Sequence, residues 1–253
     1  TNNLGVADPR HRPYWRLNVQ LDRNPADPAE VRAIADSHDA LYRAVTKADG
    51  FCFIDCDPGG WPNSPVSDLI GIFQHTRASL NKYNVHGANA KIIHWLWGGW
   101  GHAYGDGSDR EAVMKETIQA MKSQLPEPWE LICGMTGFLP WCKDEQVMAK
   151  TTLLPYNTIE GEPSYPGTNL SIPTVKGAFD ALVSYPGTLG MMGNAQTPLL
   201  QFPNIYHFTS SAWDVNYRDR TQAEVLADVA GQLFPEKSAL IADCYAALTS
   251  TDL

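Results

Sequence analysis

Residues 51–60 read FCFIDCDPGG, an apolar strand that ends in two aspartates and a Pro-Gly-Gly turn, and the fold prediction starts from this strand. Side chains alternate along a strand, so Phe53, Asp55 and Asp57 share one face and the Cys and Ile side chains share the other. If the Cys and Ile face packs against helices, both carboxylates point inward. Asp57 lies nearer the open end of the predicted fold, so it is the reactive candidate and Asp55 supports it. The alternative is that Asp57 caps the turn.

Similar strands recur along the chain and are separated by segments with a helical spacing of apolar residues. Strands are expected at 14–21, 51–55, 90–97, 129–134, 151–157, 188–194 and 204–208. Helices are expected from Pro28 and Pro65 and over about 108–125, 174–183, 222–234 and 236–248, with capping boxes that begin at Ser108 and Thr221. Strands that are apolar on both faces and alternate with helices predict an α/β fold with a parallel sheet.

Polar and aromatic residues at the predicted carboxyl ends of the strands favour a TIM-like (β/α) barrel, because functional groups gather at that rim of a barrel. A doubly wound nucleotide-binding sheet would need a Gly-rich turn, and no GxGxxG or GxxxxGK[ST] motif occurs. We expect residues 1–215 to form the catalytic barrel region and 216–253 a C-terminal helical extension. Because only six or seven strands are found, we expect one or two N-terminal strands to belong to a missing region with which the chain associates.

The composition argues against several classes of partner. A net charge of −9 without any run of four Lys or Arg predicts no nucleic-acid binding. No apolar stretch of about 18 residues occurs, so no membrane association is expected. Five cysteines at no metal-like spacing predict buried free thiols rather than a disulfide framework or a zinc site. They leave the compartment undecided, and a periplasmic or extracellular location is favoured over a cytoplasmic one.

The segment HWLWGGWGHAYGDG (94–107) places three tryptophans among five glycines. Sugar rings stack on indole faces while their hydroxyls take polar neighbours, so Trp97 and Trp100 are candidates for binding a sugar and His102 for a polar contact. The alternative is that Trp95 and Trp97 are core residues covered by helices. We expect this of one of the two, and Trp100 is the better ligand candidate.

Two later segments carry the other candidate residues. LLPYNTIEGEPSYPGTN (153–169) ends a predicted strand in carboxylates, amides and phenols, which suit a polyol ligand. Its candidates are Tyr156, Asn157, Glu160 and Glu162, with a solvated acidic loop as the alternative. In GNAQTPLLQFPNIYHFTSSAWD (193–214), Asn194 and Gln196 are candidates for reading hydroxyls. Trp213 is expected either to close the pocket floor or to anchor the terminal helices, and packing is favoured.

The segments IDCDPGGWP (54–62), IIHWLWGGWG (92–101) and 193–214 resemble parts of bacterial TIM-barrel glycoside hydrolases of the broad hexosaminidase and α-glucuronidase-like group. The resemblance implies a sugar pocket of acidic strand ends and tryptophans, followed by helices. Hexosaminidases of this group carry an adjacent Asp-Glu pair at a strand end. The only such pair here, Asp144-Glu145, is expected in a loop or short helix, so their catalytic residues are not carried over.

The function expected from the sequence is cleavage of a glycosidic bond in an oligosaccharide or glycoside. Asp57 and Glu160 would act as the acid/base pair, with Asp55 tuning Asp57 and with no cofactor or metal. One alternative is a non-catalytic sugar-binding barrel or a subunit fragment. A second is a metal-dependent sugar isomerase or lyase that uses His94, His102, Asp57 and Glu160.

Overall fold

The computed structural model describes residues 27–54, 65–96, 110–133, 136–155, 172–193, 195, 198 and 201–249, and the statements below concern those residues. The helices are α1 Pro28–Ala44, α2 Val66–Tyr83, α3 Arg110–Gln124, α4 Leu139–Asp144, α5 Ile172–Ser184, α6 Phe202–Trp213, α7 Gln222–Leu233 and α8 Ser238–Thr249. The strands are β1 Gly50–Ile54, β2 Lys91–Leu96, β3 Trp129–Cys133, β4 Thr151–Leu153 and β5 Gly190–Met191. The strand predicted at 14–21 lies outside these residues.

The five strands form one parallel sheet in the order β1-β2-β3-β4-β5, which confirms the predicted α/β class. Phe53 pairs with His94 between β1 and β2, and His94 pairs with Leu131 between β2 and β3. At the start of β1 a Cβ on Gly50 would lie 2.7 Å from the carbonyl oxygen of Lys91, so only glycine fits this close approach. Closure of the sheet into a barrel stays a prediction.

The starts of α1 and α7 follow from local capping chemistry, as predicted. The Asp27 carboxylate accepts a hydrogen bond from the backbone N–H of Ala29 at 2.8 Å, and Pro28 begins α1. Thr221 and Glu224 form a reciprocal capping box at the start of α7. Pro235 follows α7 and separates it from α8. The capping box predicted at Ser108 lies outside the described residues.

The chain divides into two compact units after Thr152. In the first unit, α1, α2 and α3 pack side by side and share one apolar core with β1, β2 and β3. The largest side chains that are almost wholly buried there include Phe73, Leu69, Ile70, Ile118 and Met121. The predicted boundary between residues 215 and 216 lies within the second unit, and the division at that boundary stays a prediction.

The second unit contains α5 to α8 and β5. Val175, Phe179 and Phe208 form a core between α5 and α6, and Val225 and Val229 of α7 pack in another small cluster. The strand predicted at 204–208 is wrong, because this segment belongs to α6. Its buried residues recur at helical spacing, namely Asn204, His207, Phe208 and Ser211. None of the helices in the described part of the chain is long and apolar enough to cross a membrane.

Candidate functional site

The segments that carry most of the predicted site residues follow the carboxyl ends of strands. Ile54, the last residue of β1, pairs with Trp95, the penultimate residue of β2. Leu96 then pairs with Cys133, the last residue of β3. The three strands therefore end together at one edge of the sheet, the edge at which parallel α/β proteins carry their ligand sites.

The structure describes one of the twelve predicted site residues. Those outside the described residues are Asp55, Asp57, Trp97, Trp100, His102, Tyr156, Asn157, Glu160, Glu162, Asn194 and Gln196. Their roles stay predictions. Trp213, the last residue of α6, is described and is 95% exposed, so the prediction that it packs against the terminal helices is wrong. Its ring is free to stack on a ligand, and that role stays a prediction.

The orientation of β1 overturns the premise used for Asp55 and Asp57. Phe53 is buried, and its ring lies 5.3 Å from the Phe73 ring of α2 and 5.3 Å from the His38 ring of α1. Cys52, on the other face, is exposed. The Phe face therefore packs against the helices, because the large ring fills space that a Cys side chain would leave empty. The premise that the Cys and Ile face packs there is wrong.

His94 lies on the helix-facing side of β2 and is not positioned as a ligand at the strand ends. It is 2% exposed, and its ring centroid is 3.9 Å from that of Phe73. Burial, aided by the nearby charge of Arg77, lowers the pKa of His94 to about 3, so the imidazole is neutral at physiological pH. Within the described ranges, no three His, Cys, Asp or Glu side chains converge as a metal site.

The opposite face of the sheet carries the described aromatic residue that is best placed for a ligand. Lys91 and Glu130 form an ion pair at 2.6 Å, which shows that these alternate positions of β2 and β3 share that face. Trp95 and Ile132 are paired in register on it, and Trp95 is partly exposed. Trp95 thus lies on the face opposite the helices, and its indole borders the face that would line the interior of a barrel. Trp97 lies outside the described residues, so the expectation that helices cover one of the two tryptophans stays a prediction.

Polar side chains between α1 and α2 bring a serine, a histidine and an aspartate together. The Ser79 hydroxyl donates to Asp39 Oδ1 and lies 3.3 Å from His75 Nε2. His75 Nε2 is also 3.6 Å from Asp39 Oδ1, and the Tyr83 hydroxyl donates to Asp39 Oδ2 at 3.3 Å. The sequence provided no cue for this cluster, because Asp39 lies 36 positions before His75 and 40 before Ser79.

The geometry of this cluster differs from that of a catalytic triad. A triad uses one ring nitrogen of histidine for serine and the other for aspartate, whereas here Nε2 of His75 faces both Ser79 and Asp39. Ser79 is also 3% exposed and donates its proton directly to Asp39. The hydrogen bond from Ser79 is the main cause that lowers the pKa of Asp39. The cluster therefore clamps two helices together.

A groove of about 380 Å³ lies between α1 and α2, beside the clamp. Its walls include the apolar side chains of Val31, Ile34 and Ile72, with Asp68 and His75 as its ionisable groups. Burial raises the pKa of Asp68. The groove lies on the helical layer.

Asp144 and Glu145 lie at the end of the short helix α4. A short helix was one of the two locations predicted for this pair, the other being a loop. Glu145 accepts a hydrogen bond from Gln119 of α3 at 2.7 Å and lies 3.9 Å from Lys122. These contacts hold its carboxylate against the helical layer. Asp144 and Glu145 therefore do not form the strand-end pair of hexosaminidases.

The sequence matches no protein-family model, no curated protein and no solved structure. The resemblance to glycoside hydrolases therefore rests on the three sequence segments that carry it.

Proposed function

We propose that this protein is a carbohydrate-active enzyme of the glycoside hydrolase type, built on a (β/α) barrel. The observation that carries the proposal is the strand order. The strands are neighbours in the order in which they occur in the chain, and α1, α2 and α3 all pack with one face of the sheet. A doubly wound sheet reverses its strand order and has helices on both faces, whereas a barrel keeps chain order with its helices outside.

The distribution of residue types supports a sugar as the ligand. The segments after β1 and β2 are rich in carboxylates, tryptophans and glycines, and Trp95 is partly exposed on the sheet face opposite the helices. Indole faces stack on sugar C–H faces, and carboxylates accept hydrogen bonds from hydroxyls. This combination favours a neutral polyhydroxylated ligand over a nucleotide or an anion.

The proposed chemistry uses two carboxylates. Asp57 and Glu160 act as the acid/base pair, and Asp55 modulates Asp57. Because β1 ends at Ile54, these roles rest on the place of both aspartates after the strand and not on an inward face of β1. Two neighbouring carboxylates disfavour each other's ionisation, so one stays protonated and donates its proton to the leaving oxygen. The other either activates water or attacks the sugar directly.

Hydrolysis of a panel of aryl glycosides tests the proposal. We expect Asp57→Asn and Glu160→Gln each to lower kcat by at least about 100-fold on the substrate that the wild type cleaves. Asp36→Asn is the matched control, because Asp36 is an exposed carboxylate on α1. The assignment is wrong if both site variants keep the wild-type turnover.

A non-catalytic sugar-binding barrel or subunit fragment is the second candidate. It is favoured by the position of Glu145, whose contacts with α3 leave the protein without the strand-end Asp-Glu pair of hexosaminidases. This candidate predicts saturable saccharide binding in calorimetry with no turnover of the same panel. Hydrolysis of any member of the panel would exclude it.

The metal-dependent isomerase or lyase would have to act without His94, which faces the helices. His102, Asp57 and Glu160 remain as its proposed ligands. Elemental analysis of the purified protein, followed by activity measurements with and without a chelator, tests this alternative. A stoichiometric metal whose removal abolishes turnover would favour it over the hydrolase.

A further inference from the structure

Two cysteines meet in the core of the first unit, at the end of β3. Cys133 is the last residue of that strand and Cys142 lies in α4, and both side chains are fully buried. They belong to the same apolar cluster as Phe138 and Val147. The two thiols are joined by a side-chain hydrogen bond, which lowers the pKa of Cys142 against the opposing effect of burial.

The turns before and after α4 hold Cys142 in place. A 3₁₀ turn at Thr136–Phe138 leads directly into α4, and the rings of Phe138 and Trp141 stack with centroids 4.9 Å apart. After the helix, the backbone N–H of Val147 donates to the carbonyl oxygen of Cys142 at 2.8 Å. Cys142 is therefore anchored on both sides, and its sulfur stays against Cys133.

We propose that Cys133 and Cys142 are a disulfide pair that closes while the chain folds under oxidising conditions. The native fold packs these two side chains together in one core cluster, so a bond formed between them during folding is compatible with the native structure. The other described cysteines, Cys52 and Cys244, are both exposed. The proposal is independent of the proposed glycosidase activity.

The oxidant in this step is a small disulfide such as oxidised glutathione. The thiolate of one cysteine attacks a glutathione sulfur, breaks the S–S bond and releases one glutathione thiolate. The second cysteine thiolate then attacks the mixed disulfide and releases the other glutathione. The two cysteines lose two protons and two electrons, and one oxidised glutathione becomes two reduced molecules. Both steps occur before burial, because the folded protein leaves neither sulfur exposed.

The bond would close a ten-residue loop from 133 to 142, which begins at the carboxyl end of β3. Closing a loop of this size restricts the unfolded chain more than the folded one. We therefore expect the oxidised protein to have a Tm about 5 °C or more above that of the reduced protein.

The experiment is refolding of the wild-type chain from denaturant in oxidised and in reduced glutathione, followed by alkylation and peptide mapping without reductant. The expected result is one disulfide that links Cys133 to Cys142 in the oxidised sample and its absence from the reduced one. Cys244→Ala should keep this bond and the rise in Tm, whereas Cys142→Ala should lose both.

The proposal is overturned if both cysteines are alkylated after oxidative refolding, or if either is found bonded to Cys52, Cys56 or Cys244 instead. Because the map is made on the wild-type chain, this result stands even if Cys142→Ala fails to fold. A failure to hydrolyse any glycoside would leave the disulfide map unaffected, so the two proposals fail separately.

Discussion

The imidazole ring of His94 lies against the phenyl ring of Phe73, with centroids 3.9 Å apart and an interplanar angle of 34°. This contact joins β2 to α2 in the interior of the first unit. It determines what His94 does, because a ring enclosed by the helical layer contributes to packing and is withdrawn from the edge where the strands end. His94 also makes the stability of the fold depend on pH.

We expect His94→Leu to flatten the loss of stability below neutral pH. The pKa of His94 is about 3 in the folded protein and 6.5 for the unperturbed side chain, so the unfolded chain takes up a proton that the folded chain does not. Stability is full above pH 6.5 and falls as the pH is lowered towards 3, by about 2 kcal/mol at pH 5. Urea unfolding at pH 7 and pH 5 measures this difference.

At pH 7 the same substitution should cost little or stabilise the protein, because the buried Nδ1 of His94 has no hydrogen-bond partner among the described residues. Burial also lowers the pKa of His38, to about 4. His38 therefore also makes the fold less stable at low pH, and it does so in both the wild type and the variant. If the wild type and His94→Leu lost the same free energy of unfolding between pH 7 and pH 5, His94 would take up a proton in the folded state as readily as in the unfolded state, and the prediction would be wrong.

Truncation of two neighbouring residues of β1 should lower the free energy of unfolding by very different amounts. Phe53→Ala removes a buried ring that packs on Phe73 and His38, and we expect a loss of about 3–5 kcal/mol in the free energy of unfolding. Cys52→Ala, one position earlier, changes an exposed side chain and should cost under about 1 kcal/mol. Equal costs in urea unfolding would contradict the assignment of the two faces.

Arg77 of α2 holds the amino-terminal ends of two strands together. Its guanidinium donates to the carbonyl oxygens of Ala90, at 2.8 Å, and Pro128, and the side chain is 4% exposed. Arg77→Met leaves both carbonyls without this donor, and we expect a loss of about 2–4 kcal/mol. The matched control is Arg32→Met on α1, an exposed position at which the loss should stay below about 1 kcal/mol. Similar midpoints in urea for both variants would refute this role.

Ser79→Ala should raise the pKa of Asp39 and weaken the clamp between α1 and α2. The serine hydroxyl is the leading cause that lowers the pKa of this carboxyl, so its removal shifts the titration upwards. The loss of one hydrogen bond is expected to cost about 1 kcal/mol. Carboxyl chemical shifts followed by NMR during titration, together with urea unfolding, measure both effects.

The same cluster gives a check on catalysis. Because Ser79 is buried and shares Nε2 of His75 with Asp39, a fluorophosphonate probe should not label it in the folded protein. Labelling that Ser79→Ala abolishes would overturn this conclusion.

Local signals in the sequence identified most of the described elements. The Asp27-Pro28 start of α1 and the capping box at Thr221 are chemical features of a few consecutive residues, so they were predictable. The prediction of a strand at 204–208 is wrong because a short apolar run with aromatic residues fits the side-chain spacing of a strand as well as that of a helix. Packing against α5 and α7 favours the helix α6.

Short segments of the chain were enough to show that strands and helices alternate and that polar and aromatic residues follow the strand ends, because capping and periodicity act over a few residues. Alternation along FCFID also determined that Phe53 and Cys52 lie on opposite faces of β1. Which of these faces packs against the helices could be seen only in the folded chain, because it depends on how large side chains from distant segments fill a shared space. For the same reason only the fold could bring Asp39 to Ser79 and Cys133 to Cys142.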